Sequence, residues 1–392
     1  MTLRVFVCVL IMVATAQAQS YRYVDSPIGG RAATGGLTTG PPGWKGAFQH
    51  GPVNEMLQVV AMPAYGRLGL YLDPIAQKVG VIENGRLYWI AGTGTWGHRD
   101  GPAEYAEFRM GGAGYATAGG GVDSRNNLYV AEGHNAAIRK IYRDASGRWQ
   151  VTTAAGRGTL RLRPGEKAPA TKVALGGPLS LVVDGQDNVW FIDGAVYRLS
   201  PDGMLTAFVL ADPSGPQALT VTSMAVGAHG QMFFLDRRDP AARVWKLHPD
   251  GRYEWVAGIT AKQWQDYRTA GQPVPIDGPV DKCSFFDAGT VIPAHDGSAI
   301  YVGAGDEFNI RRIKDGRCST WMPDGTFAEV SVRNGGAGVG WPAGMDAEGR
   351  IYTTKAPWIP PDGDQWGIFR IVLPPGVAVP AAAPPGEPTR SP

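Results

Sequence analysis

The sequence predicts an all-β fold, a six-bladed β-propeller built from four-stranded antiparallel blades. The chain has 392 residues, of which 55 are Gly and 31 are Pro, and 44% are hydrophobic. This composition is typical of many tight turns around a packed core. A short motif of the form apolar–any–basic–apolar recurs along the chain, with β-rich runs and glycine turns around it. The 12 Trp residues agree with this prediction, because propeller blades repeat aromatic positions.

The first 18 residues are predicted to be a signal peptide. Arg4 gives a positive start, residues 5–15 form an apolar run, and Ala16-Gln17-Ala18 is a small-residue cleavage pattern. The apolar run is too short to span a bilayer, which takes roughly 20 residues. We therefore expect a secreted or periplasmic protein, cleaved near Ala18.

Two irregular segments flank the predicted propeller, which we place at residues 55–373. Residues 19–54 form a Gly/Pro-rich lead-in, and residues 374–392 form a Pro/Ala-rich tail that we expect to be disordered. The last repeat stops after its third strand, at Ile371. We expect residues 21–24 to supply its missing outer strand and close the ring, with residues 377–379 as the alternative donor.

The repeat is defined by its tetrads, each preceded by a β-rich run and in four copies followed by a glycine turn. The tetrads are IRKI (138–141), VYRL (196–199), VWKL (244–247), IRRI (310–313) and IFRI (368–371). A further unit at the front, residues 57–91, has four strand-like segments and an Asn84-Gly85 hairpin turn but no tetrad. These units together predict six blades.

One unit resembles an NHL repeat over its whole length. The matching residues are AGTG (91–94), DGP (100–102), AEF (106–108), VD (122–123), NLYVAE (127–132), Asn135 and IRKI (138–141). A second copy comprises DGP (277–279), CSF (283–285) and IRRI (310–313). The resemblance implies a propeller, and NHL-like propellers include scaffolds, ligand binders and metal-dependent lyases. It therefore implies the fold more sharply than the activity.

Two cysteines, Cys283 and Cys318, remain after removal of the signal peptide. An even number in an oxidising compartment favours a disulfide. Their separation in space does not follow from the sequence, so the bond is left open at this point.

The candidate ligand-binding residues lie where the second strand of each blade ends. In a propeller, the loops after these strands and the links between blades share one face. Acids end the second strand in four units, and several polar or aromatic residues follow close by. The set is Asp73, Glu132, His134, Asn135, Asp193, Asp236, Arg237 and Trp358. The structural alternative is that each acid binds a neighbouring backbone N–H or a basic side chain, and the sequence favours it.

Two functions remain open. The first is a non-catalytic scaffold that binds a protein, peptide or carbohydrate through the loop face. The second is a divalent-metal-dependent hydrolase or lyase, in which Glu132, Asp193 and Asp236 hold Ca²⁺ or another divalent metal through oxygen ligands. Gluconolactonase-type propellers imply such a site, whereas the His set of amidating lyases cannot be mapped onto the chain. A net charge of +2 without a basic stripe excludes nucleic acid, and no apolar segment predicts a membrane span.

Overall fold

The structure is a computed structural model. It describes residues 22–23, 58–61, 69–73, 77–83, 86–110, 119–208, 210, 219–227, 230–238, 241–248, 252–274, 277–286, 288–294, 296–304, 309–322, 342–345, 351–359 and 363–372. The predicted signal peptide, most of the lead-in and the tail lie outside these residues.

The described strands form six antiparallel sheets that follow one another along the chain. The first strand, β1 (Arg22–Tyr23), belongs to the last sheet. Sheet 1 comprises β2 (Gln58–Ala61), β3 (Gly69–Asp73), β4 (Lys78–Glu83) and β5 (Arg86–Ala91). Sheet 2 comprises β6 (Gly101–Pro102), β7 (Gly120–Val122), β8 (Leu128–Glu132), β9 (Ala137–Arg143) and β10 (Trp149–Gly156).

Sheets 3 and 4 both proceed from an inner to an outer strand along the chain. Sheet 3 comprises β11 (Lys167–Pro169), β12 (Leu179–Val183), β13 (Val189–Ile192), β14 (Val196–Leu199) and β15 (Met204–Phe208). Sheet 4 comprises β16 (Val221–Val226), β17 (Met232–Arg238), β18 (Ala241–Leu247) and β19 (Tyr253–Ala257). Helix α1 (Ala261–Thr269) follows, and three short 3₁₀ turns occupy Ala103–Tyr105, Gly133–Asn135 and Ala170–Lys172.

The last two sheets complete the series. Sheet 5 comprises β20 (Gly278–Pro279), β22 (Thr290–Pro293), β23 (Ile300–Ala304), β24 (Asn309–Lys314) and β25 (Arg317–Met322), while β21 (Phe285–Phe286) pairs with β18 of sheet 4. Sheet 6 comprises β26 (Pro342–Met345), β27 (Ile351–Ile359), β28 (Gly363–Val372) and β1.

The sheets are arranged in a closed ring. The innermost strands β2, β7, β12, β16, β22 and β26 each contact the next in this order, and β26 contacts β2. Radial repetition of antiparallel sheets around an axis defines a β-propeller. The predicted all-β propeller is therefore confirmed. The number of blades in the complete chain remains a prediction, with six sheets in the part that the structure describes.

The core lies between neighbouring sheets. Leu70 and Leu72 of sheet 1 pack with Leu128 and Val130 of sheet 2, and similar apolar clusters join sheets 2 and 3, 3 and 4, and 4 and 5. A sheet covered on both faces needs apolar residues at consecutive positions. This explains why β8 is buried along its whole length and why its sequence, LYVAE, does not alternate.

Strand β1 occupies the outer edge of sheet 6. Arg22 lies opposite Val372 and Tyr23 lies opposite Ile371 in an antiparallel pair. This is the position expected for residues 21–24, although the paired segment is only two residues long. The alternative donor, residues 377–379, lies outside the described part of the chain.

Two features differ from the four-stranded blades that the sequence predicts. Sheets 2, 3 and 5 carry a fifth short strand, since β6, β11 and β20 pair with the outer strands β10, β15 and β25. Helix α1 is the second feature, since it is the one α-helix among the residues that the structure describes. Its start is a capping box, in which Thr260 Oγ1 accepts from the Gln263 N–H and the Gln263 side chain accepts from the Thr260 N–H.

Cys283 and Cys318 form a disulfide, with their Cα atoms 6.1 Å apart. The sequence alone did not decide whether these two cysteines are bonded. It joins the segment before β21 to strand β25, and both cysteines are buried. Within the described residues, no helix combines the length and the apolar character needed to cross a membrane.

Candidate functional site

The antiparallel pairing gives the ring two different faces. On one face lie the connections from second to third strands and the links from each outer strand to the next inner strand. The described parts of these links are residues 92–110 and 119, 157–178, 210 and 219–220, and 258–274, 277–286 and 288–289. We call this side the link face. The first-to-second and third-to-fourth turns lie on the opposite side, the turn face.

Glu132 ends β8 on the link face and is fully buried. Its Oε2 accepts from Arg139 Nη1 at 3.0 Å and from Asn135 Nδ2 at 3.1 Å, and its Oε1 accepts from the Arg109 backbone N–H at 3.0 Å. Both oxygens are therefore engaged by protein donors. The carboxylate joins β8 and β9 to the link that leads into the same sheet.

Asp193 and Asp236 occupy the equivalent positions in sheets 3 and 4. The two oxygens of Asp193 accept from consecutive glycine N–H groups of the preceding link, at 2.7 and 2.8 Å. Asp236 accepts from the Thr220 N–H and from Arg243 Nη2, both at 2.7 Å. In all three sheets the acid fastens the link that enters its own sheet. This is the structural alternative that the sequence favours.

The donor set of the metal hypothesis does not fit a shared ion in this arrangement. Glu132, Asp193 and Asp236 belong to three different sheets, and the oxygens of each accept from N–H donors of its own sheet or of the link that enters that sheet. Across the described segments, no three or more His, Cys, Asp or Glu side chains are grouped so that they could hold a metal ion.

The other predicted residues are distributed differently. Asn135 is buried and its Nδ2 also donates to the Gly97 carbonyl oxygen at 2.8 Å, whereas the His134 side chain is exposed beside it. Arg237 is half-buried in β17. Asp73 ends β3, and Trp358 lies within β27 rather than in the loop after it. The side chains of these last two residues are outside the described part of the structure.

The DGP residues of the NHL-like motif have a structural function. Asp100 pairs with buried Arg139 at 2.7 Å, and Asp277 pairs with buried Arg311 at 2.6 Å. A threonine hydroxyl of the adjacent outer strand binds the same aspartate in both sheets, at 3.0 and 3.2 Å. Burial lowers the pKa of Arg311, and the Asp277 charge opposes this effect. The pairs hold β6 and β20 against their sheets.

His98 lies at the edge of this network in the first link. Its Nε2 is 3.0 Å from Thr153 Oγ1, and its Nδ1 is 3.5 Å from Glu132 Oε2. The second contact lies within ion-pair distance but does not have hydrogen-bond geometry, because Nδ1 has no hydrogen-bond partner. The hydrogen bond with the Thr153 hydroxyl therefore holds the His98 ring in place.

Exposed apolar side chains on the link face were not anticipated from the sequence. Among the described residues, every large hydrophobic side chain that is exposed lies in a link or in the outer strand leading into one. These are Trp96, Tyr105, Leu160, Trp255 and Phe286, with exposed fractions from 36% to 60%. The turn face instead presents Asp, Asn, Ser and Gly in segments such as 123–127, 144–147 and 184–188.

A repeated pattern could have revealed this surface. Trp96 and Leu160 each end a similar hexapeptide, AGTGTW (91–96) and AGRGTL (155–160). Each also forms an equivalent parallel bridge, Trp96 with Phe108 and Leu160 with Val173. The links thus present an apolar side chain at the same structural position in successive sheets.

The chain was compared with known proteins. No protein-family model matches it, and no curated protein does. Among solved structures, a protein of unknown function from Bacteroides thetaiotaomicron is 14% identical, with 80% of this chain and 70% of that chain covered and a TM-score of 0.47. Streptogramin B lyase is 12% identical, with 82% and 94% covered and a TM-score of 0.45. A nidogen/laminin complex is 13% identical, with 69% and 81% covered and a TM-score of 0.40. Similarities at this level carry no argument about function.

Proposed function

We propose that this protein is an NHL-type propeller that acts as a non-catalytic binding scaffold through its link face. Its ligand would be a protein, peptide or carbohydrate. The observation that carries the proposal is the difference between the two faces. Large apolar side chains are exposed on the link face, while the described turns of the opposite face are polar.

The exposed side chains are of the types that dominate binding surfaces. Aromatic residues and arginine are enriched in protein interaction sites and carry much of their binding energy. Trp96 is 56% exposed, and the Arg109 guanidinium lies 5.5 Å from the centre of its ring. This pair presents both residue types together on the link face.

The alternative, a divalent-metal-dependent hydrolase or lyase, has less support. It requires carboxylates that are free to bind an ion, whereas Glu132, Asp193 and Asp236 accept hydrogen bonds from link and strand donors. These hydrogen bonds explain the positions of the three acids without a bound ligand.

We also propose that the protein is exported, to a secreted or periplasmic location. The signal-like sequence at residues 1–18 supports this, and so does the Cys283–Cys318 disulfide, because such bonds persist in oxidising compartments.

The proposal is tested by blocking each face in turn. An array of immobilised oligosaccharides and peptides would be probed with the mature chain and with Leu160→Arg and Gln186→Arg. Both positions are exposed and both variants add one positive charge, but the first lies on the link face and the second on the turn face. We expect Leu160→Arg to weaken the signals and Gln186→Arg to leave them unchanged. Equal effects of both variants, or no signal at all, would contradict the proposal.

A further inference from the structure

The link between sheets 2 and 3, residues 157–178, is strongly basic, and we call it the basic link. Its sequence holds five basic residues and one acidic residue, so its net charge is +4, whereas the whole chain has a net charge of +2. In no other link do the described residues include more basic than acidic ones. Among the links, positive charge is therefore concentrated in this one.

The basic side chains of this link are all exposed, namely Arg157, Arg161, Arg163, Lys167 and Lys172. Lys167 lies 4.0 Å from the Asp202 carboxylate, and the other four form no ion pair with any residue that the structure describes. Glu166, the one acid of the link, accepts through Oε2 from the Arg163 backbone N–H at 2.7 Å. Four cationic groups are therefore open to a partner.

Two short segments of the basic link lie side by side. Leu160 forms a parallel bridge with Val173, and the Leu160 N–H donates to the Lys172 carbonyl oxygen at 2.9 Å. The Ala174 N–H donates back to the Leu160 carbonyl oxygen at 2.6 Å. This pairing places Lys172 beside Leu160, and Arg161 follows Leu160 directly. Because this backbone is already hydrogen-bonded, less ordering is needed when a ligand binds to it.

Leu160 supplies an apolar contact among these charges. It is 47% exposed, whereas Leu162, two residues later, packs partly buried against the apolar cluster between sheets 2 and 3. One leucine thus contributes to the core, and the other is open to solvent between basic residues. A partner that covers Leu160 removes apolar surface from water, which favours binding.

The positive charge and the exposed leucine together select one class of ligand. Guanidinium groups bind carboxylates through paired N–H donors, and a cationic ligand would be repelled. An acidic polysaccharide offers carboxylates but no apolar side chain to cover the leucine, and a nucleic acid presents phosphates and sugars. A peptide can offer carboxylates and apolar side chains in one segment.

We propose that the basic link binds an acidic peptide segment of a partner protein. Carboxylates of the segment pair with Arg161, Arg163 and Lys172, and an apolar side chain of the segment covers Leu160. The inference rests on the proposed binding function of the link face, and it deepens that function by naming the ligand class for one link.

The test uses a labelled synthetic peptide in which glutamates flank leucines. Its counterparts carry glutamine or lysine in place of each glutamate, and binding to the purified protein is followed by fluorescence anisotropy in about 0.05 M and about 0.5 M NaCl. We expect saturable binding of the acidic peptide, weakened about tenfold by the added salt, and no saturable binding of either counterpart. The proposal is overturned if the acidic peptide does not bind, or if hexagalacturonate or a DNA duplex binds more tightly.

Variants of the basic residues locate the site. Arg161→Gln combined with Arg163→Gln should weaken binding of the acidic peptide about tenfold. The matched control is Arg125→Gln combined with Arg317→Gln, which removes two exposed arginines from the turn face and should leave binding unchanged. Equal losses in the two double variants would mean that the charge of the whole protein attracts the peptide, and the proposal would be wrong.

Position 160 tests the apolar contact. Leu160→Ser should weaken binding of the acidic peptide severalfold, and an unchanged affinity would contradict the assignment of a peptide. Leu160→Arg also removes this contact, although it adds a charge. If Leu160→Arg weakens the array signals while Arg161→Gln combined with Arg163→Gln leaves them unchanged, this inference is wrong and the link-face proposal stands. If no link-face variant alters any signal, both fail.

Discussion

Carboxylates at the ends of the second strands hold the links in place through hydrogen bonds. Glu132 is the most enclosed of them, since it shares a buried site with Arg139 and receives two further N–H donors. A buried charge pair is retained only when both partners are hydrogen-bonded, and removing one leaves the other uncompensated. The position of each acid was predicted from the sequence. The specific donors were not, because those in the links depend on the path of each link in the assembled ring.

Glu132→Gln should lower the free energy of unfolding by about 3 kcal/mol, because it leaves the buried Arg139 with only the partly exposed Asp100 as a charged partner. Denaturant unfolding measures the change. Glu104→Gln is the matched control, an exposed acid in the same link. If Glu132→Gln changed the free energy of unfolding no more than Glu104→Gln does, Glu132 would not hold the link in place.

The carboxylate of Asp144, in the turn after β9, should make the stability of the fold depend on pH. Hydrogen bonds from the Ser146 and Gln150 side chains, and from backbone N–H groups, hold the pKa of Asp144 well below its usual range. The pKa of this carboxyl is lower in the folded chain than in the unfolded chain, where it is about 3.9, so the ionised group stabilises the fold at a pH above 3.9. This stabilisation is lost as the pH falls through the pKa of the folded state. Asp144→Asn should therefore lower Tm at neutral pH, and the difference should narrow in strong acid. A difference in Tm that is the same at every pH would refute this assignment.

At the scale of elements, the repeated strands were predictable because their signals are local. The apolar–any–basic–apolar tetrads recur every 48 to 66 residues, mostly with a glycine turn after them, and each observed tetrad lies in a third strand such as β9 or β24. The fifth strands β6, β11 and β20 were not predictable from propensity, since each is only two or three residues long. Buried Arg139 and Arg311 recruit two of them through long-range ion pairs. Helix α1 did carry a local signal, the Thr260–Gln263 capping box.

The pairing of β1 with β28 predicts that the N terminus of the mature chain stabilises the ring. Deletion of residues 19–30 should lower Tm clearly, because sheet 6 would then expose the outer edge of β28. Deletion of residues 374–392 is the control and should leave Tm unchanged. The reverse result would assign the closing strand to residues 377–379.

At the scale of the whole molecule, ring closure follows from repetition, whereas the exposed surface of the links does not. The inner strands contact one another from β2 through β26 and back to β2. The exposure of Trp96 and Leu160 depends on how each link crosses the rim of the ring. The sequence therefore predicted the fold, while the apolar residues exposed in the links emerged only from the structure.

We propose that the strand-end acids are structural and that the link face binds its ligand without a metal. Elemental analysis of the purified protein, after equilibration with Ca²⁺ and removal of unbound ions, distinguishes this proposal from a metal site. We expect no stoichiometric metal in either the unaltered chain or Asp193→Asn. One equivalent of a divalent metal in the unaltered chain, absent from Asp193→Asn, would contradict it and favour the metal-dependent hydrolase or lyase.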